Sequence, residues 1–108
     1  MRSIKPLVLA MFLLPVCGSA LAQQEQTVGQ KNKAFTVQKL KVKLGDTVAF
    51  RNDDPYFHNI FSLSPAQPFD LGSYPQGQTR KVTFSKEGKV DVECAIHPEM
   101  KMVIEVTK

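Results

Sequence analysis

Cys94, His97 and Met100 stand three residues apart in the run Cys94-Ala95-Ile96-His97-Pro98-Glu99-Met100. One tight loop with this spacing presents a thiolate, an imidazole and a thioether toward a common point. These are soft or borderline donors, suited to copper and poorly suited to calcium or magnesium, which take oxygen ligands. The chain has two histidines, and the other is His58. Two imidazoles, one thiolate and a weak axial thioether suit both copper oxidation states, because sulfur favours Cu(I) while imidazole serves Cu(II). A frame that holds such a set fixed changes little when an electron arrives. The chemistry expected of these residues is therefore the movement of single electrons.

Each residue also has a plainer reading. A lone cysteine is often a small core hydrophobe, and a histidine beside a turn is often a surface group. Met102 competes with Met100 for the axial position, but it starts the apolar alternation of the last strand and reads better as core. Glu99 carries a carboxylate harder than this donor set wants, and is expected to face water. Asp53-Asp54 precedes Pro55 and reads as a turn, with no third group to complete an acid–base set. Of Tyr56 and Phe57, one is expected in the core.

The elements that must position these residues read as strands. Phe35 and Val37 share a face, and after a change of phase Leu40, Val42 and Leu44 continue the alternation, which implies a bulge or bend. Gly45-Asp46 turns the chain into Thr47 to Asn52, with Val48 and Phe50 inward. Tyr56 to Leu63 has the aromatic and branched content of a buried strand. Between Ser64 and Gln78, three prolines and two glycines predict a long connection with at most a short strand near Phe69 and Leu71. Arg80, Val82 and Phe84 alternate, then Val90, Val92 and Cys94, then Met102, Ile104 and Val106. The parity of the second of these series aims the Cys94 thiol inward at the end of its strand. No segment has a helical period, so the expected architecture is all-β: an antiparallel, two-sheet sandwich.

Residues 1–22 carry Arg2 and Lys5, then an apolar run from Leu7 to Val16, then small residues ending Ala20-Leu21-Ala22. This is the pattern of a secretory signal peptide, with an apolar run too short to span a bilayer. Val16 before Cys17 argues against lipid attachment there. Cleavage after Ala22 leaves residues 23–108 as one domain, and Gln23 to Lys33 is polar enough to be either a flexible leader or a weakly patterned first strand. The mature chain then holds twelve basic and ten acidic residues, too slight an excess to imply nucleic acid. Lys39, Lys41 and Lys43 alternate along one strand and read as a solvated face. Export also removes Cys17, so Cys94 enters an oxidising compartment with no internal partner. It is a metal ligand, an inert core residue, or half of a disulfide between chains.

His58-Asn59 together with Cys94-Ala95-Ile96-His97-Pro98-Glu99-Met100 resembles the metal-binding pattern of the cupredoxin (type 1 blue copper) family, in its amicyanin and plastocyanin branch. The Cys-x-x-His-x-x-Met loop is similar to that of amicyanin. The resemblance implies a Greek-key β-sandwich, one copper ion on His58, Cys94, His97 and Met100, and Asn59 as a tie between the ligand loops. It also implies a periplasmic, monomeric, non-enzymatic one-electron shuttle between redox proteins such as a dehydrogenase and a cytochrome, with no stable membrane insertion. The alternative class is a periplasmic copper-delivery or storage protein. Relatives of this branch have proline before the second histidine. Here Ile96 retains its N–H, which is expected to reach the Cys94 sulfur and tune the potential.

Overall fold

In the computed structural model, residues 23–108 are described, and the export segment expected at 1–22 lies outside them. Eight strands run in chain order: β1 (Glu25–Gln30), β2 (Lys39–Lys43), β3 (Thr47–Asn52), β4 (His58–Ser62), β5 (Phe69–Tyr74), β6 (Thr79–Thr83), β7 (Gly88–Cys94) and β8 (Lys101–Thr107). They form a three-stranded sheet, β1-β3-β6, and a five-stranded sheet, β2-β8-β7-β4-β5. The described residues contain no helix.

Alternation does what it should. Val48 and Phe50 from one sheet meet Ile60, Val90, Val92, Cys94, Met102, Ile104 and Val106 from the other, all buried. Lys39, Lys41 and Lys43 are exposed as expected, with Val42 buried between them. Phe35, Phe50, Phe69 and Phe84 form a chain of ring contacts through the interior.

Two features depart from the expected antiparallel sheets. β1 pairs with β3, and β2 with β8, in parallel, while the other pairings are antiparallel, so both sheets are mixed. Alternation reports which face a side chain takes and carries no information on partner direction. The polar segment whose role composition left open is the ordered strand β1, its carbonyls and amides bonded along the whole of β3. It has no visible alternation because its last three residues are all buried.

Just ahead of Phe35 lies a hairpin that sequence reading did not mark. Lys31 and Ala34 exchange both backbone hydrogen bonds, at 2.8 and 3.1 Å, and Asn32 and Lys33 between them have φ of 57° and 58°. That is the two-residue turn of the mirror-image type, which requires left-handed backbone at both central positions. Phe35, bridged to Gln30, enters the core, whereas Val37 is exposed.

Candidate metal centre

The alternation of β7 carries Cys94 to the interior at the strand end, 1% exposed. From there the chain must turn back into β8, and it does so through Pro98 and Glu99: the Met100 N–H donates to the His97 carbonyl at 2.9 Å. Proline at the second position of such a turn has its φ already set. The turn leaves His97 half-buried and Met100 buried. Inward partners in the β7–β8 ladder are Val90↔Ile104 and Val92↔Met102. Continued by one inward pair, this register sets Met100 opposite Cys94 and leaves Met102 one pair deeper in the core.

His58 opens β4, beside β7 in the sheet, and is fully buried. Its neighbour Asn59 bridges the two strands through its backbone. The Asn59 carbonyl accepts from Ala95 N–H at 2.9 Å, and the Asn59 N–H donates to Cys94 Sγ at 3.3 Å. The expected tie is thus present but made by main chain, while the side-chain amide reaches Ser73 Oγ. The N–H bonded to the sulfur is that of Asn59 and not, as expected, that of Ile96, whose side chain lies out in solvent at 47% exposure.

The three donors converge. Cys94 Sγ lies 3.6 Å from Nδ1 of His58 and 3.8 Å from Nδ1 of His97, and the three candidate ligand atoms fall within 4.8 Å of one another. Separations of this size are those of sulfur and nitrogen donors at about 2.3 and 2.0 Å from a shared first-row ion at a wide angle. Tyr56 packs its ring against both imidazoles, with centroid distances of 5.6 and 5.4 Å. Phe57 is 52% exposed and Tyr56 is half-buried against the site, so neither of the two joins the core where one was expected.

Asp54 has a role that sequence reading missed. Its carboxylate is buried and accepts from His58 Nε2 at 2.8 Å, leaving Nδ1 to face the sulfur. It also accepts from the backbone N–H groups of Asn32, at 2.7 Å, and Lys33, at 3.0 Å. Burial alone would raise the Asp54 carboxyl, but the His58 hydrogen bond and the two backbone donors together hold it below the ordinary carboxylate range. Asn52 braces the turn that presents it, accepting from Asp54 N–H at 2.8 Å and donating to the Tyr56 and Tyr74 carbonyls at 2.8 and 2.9 Å. The available sequence signal was the four-residue spacing of Asp54 and His58 across a proline turn.

The family model for copper-binding proteins of the plastocyanin/azurin family matches residues 22–107. The chain belongs to that family. Among its relatives is the methylamine utilization protein MauL of Methylorubrum extorquens, 32% identical over 68 residues, which are 62% of this chain and 60% of that protein. The chain thus spans less than two thirds of this relative. A Cu(I) form of a methionine-to-alanine mutant of amicyanin superposes with a TM-score of 0.72 at 25% identity, covering 80% of this chain and 85% of that one. A copper-containing nitrite reductase from Thermus scotoductus superposes at 0.74 and 27% identity, covering 88% of this chain but 25% of the reductase chain.

This plastocyanin/azurin-type member has copper as its cofactor, and its own donors fit that ion. One buried thiolate with two imidazole nitrogens and a methionine at hand is softer than calcium or magnesium would select. Burial of Cys94 also puts its sulfur out of reach of a second chain, against the reading as an intermolecular disulfide.

Proposed function

We propose that this protein is an exported one-electron carrier, with a single copper ion held by His58, Cys94, His97 and Met100. The observation that carries the reading is the convergence of two imidazole Nδ1 atoms on the one described thiol, at 3.6 and 3.8 Å, in a plastocyanin/azurin family member. Register supports Met100 over Met102, because Met100 falls opposite Cys94. Copper bound there would supply a Cu(I)/Cu(II) couple.

The remaining chemistry belongs to the chain. Asp54 and Asn59 hold the ligand strand and the ligand sulfur in place through hydrogen bonds already formed, so little has to move on a change of charge. His97, half-buried between exposed Ile96 and Pro98, is the ligand closest to solvent and offers electrons a short exit. Phe57 adds apolar surface on the neighbouring turn. A redox donor and acceptor, such as a dehydrogenase and a cytochrome, would dock at this end, the chain itself being a monomer in the periplasm. Burial of His58, Cys94 and Met100, with His58 and Cys94 held by hydrogen bonds of their own, favours retention of the ion over copper delivery or storage, and four protein donors for one ion favour a carrier over an enzyme.

Addition of Cu(II) to residues 23–108 tests this directly. An intense visible thiolate-to-copper band that disappears in Cys94→Ser is the expected result. Absence of the band in the unaltered protein overturns the proposal.

A further inference from the structure

Lys33 is held at φ 58°, beside Asn32 at 57°. Asparagine tolerates left-handed backbone, but for lysine it costs about 1–2 kcal/mol, and glycine is the usual occupant of the second position. A strained residue persists where surrounding structure over-determines it. What this turn does with its conformation is visible: its two successive N–H groups point at one carboxylate, Asn32 to Asp54 Oδ1 at 2.7 Å and Lys33 to Asp54 Oδ2 at 3.0 Å. The same Oδ2 accepts from His58 Nε2 at 2.8 Å. The Lys33 ammonium lies 5.5 Å from the centre of the Tyr56 ring, and Tyr56 rests on both imidazoles.

We propose that Asp54 is a positioning residue for the copper centre, gripped by the Asn32–Lys33 turn so that it accepts the His58 Nε2 proton and leaves Nδ1 free to ligate. The proposal rests on the copper reading above. The physical argument is one of tautomers. A neutral imidazole carries one proton, and whichever nitrogen carries it cannot bind a metal. A carboxylate fixed 2.8 Å from Nε2 can only accept, which keeps the proton on Nε2. A carboxylate free to swing would enforce nothing, and the two backbone donors from the β1 hairpin prevent that. The hairpin at the start of the domain is thereby made part of the metal centre without contributing a ligand.

The test is nitrogen NMR of the His58 ring in the metal-free protein, in mildly alkaline buffer, for the unaltered chain and for Asp54→Asn. The expected result is a proton on Nε2 in the unaltered chain. In Asp54→Asn, whose amide can offer a donor to Nε2, a mixed or reversed tautomer is expected, with a 10- to 100-fold loss of Cu(I) affinity in chelator competition. The amide protons of Asn32 and Lys33, shifted downfield by the carboxylate, should move in the same variant. A Nδ1–H tautomer in the unaltered chain overturns the proposal even if the variant does not fold. So does a folded Asp54→Asn with tautomer and affinity intact. Failure of the copper reading would show separately, as a missing thiolate-to-copper band in the unaltered protein.

Discussion

The backbone N–H of Asn59 donates to Cys94 Sγ at 3.3 Å, so the residue beside one imidazole bears on the sulfur between both. β4 therefore supplies a donor and a hydrogen bond to the thiolate from adjacent positions. Hydrogen bonding to a ligand sulfur withdraws charge from it and favours the reduced ion.

Because that bond comes from Asn59, Ile96→Pro should matter little to the potential. The expected change is below about 60 mV, which is a factor of ten in a one-electron equilibrium. Protein-film voltammetry of the two proteins checks it. A larger fall would make Ile96 a donor to the sulfur after all.

The register of β7 and β8 separates the two methionines. Met100→Leu should alter the visible spectrum and move the potential by more than about 60 mV. Met102→Leu, a near-isosteric core exchange, should cost less than about 1.5 kcal/mol in chemical denaturation and leave the spectrum unchanged. Reversal of these two spectral outcomes would transfer the axial role to Met102.

Phe57 exposes an aromatic ring on the turn that touches the ligand loop through the Tyr56–His97 contact. Phe57→Glu should slow electron exchange between copies of the protein several-fold, since like charges brought together at an encounter oppose docking. Its visible spectrum should be unchanged. Line broadening in mixtures of the oxidised and reduced forms measures the rate.

Tyr74 is fully buried and donates to the Phe50 carbonyl at 3.2 Å. Burial pushes its hydroxyl up to about 12, against the smaller opposing effects of the Gln30 amide and Arg80, with Cys94 adding to the rise. The unfolded chain releases the same proton near 10. Below that pH the contribution to stability is complete. Above it the unfolded state ionises first and stability falls, by about 3 kcal/mol in all once pH passes the folded value. Alkaline denaturation midpoints should therefore fall with pH more steeply in the native protein than in Tyr74→Phe. Parallel curves would refute the assignment.

Much of the centre was legible because scarcity and parity act together. Cys94 is the single thiol beyond residue 22, two histidines occur in all, and Val90, Val92 and Cys94 alternate without a break. Asp54 was not legible. Read along the chain it is one of two aspartates before a proline, and its partners Asn32 and Lys33 reach it from 22 and 21 residues away. The parallel pairings were hidden for a related reason, since alternation, where it shows as in β2, sets the face a strand presents while its neighbours are chosen by the sandwich as a whole. β5 escaped clear reading because it is irregular: its register against β4 slips between Asn59 and Phe61, and Gly72 sits at φ 73°.

The loop from Cys94 to Met100 has a consequence for how the protein acquires its ion. A thiolate, an imidazole and a thioether lie within seven consecutive residues, so a chain still unfolded already offers copper a short chelating segment, and His58 joins only when β4 docks. A ligand that also binds the unfolded state stabilises the native one by less than its affinity for the finished site would suggest. Thermal protection by copper should therefore fall short of the folded affinity, and the shortfall measures how well the bare heptapeptide competes.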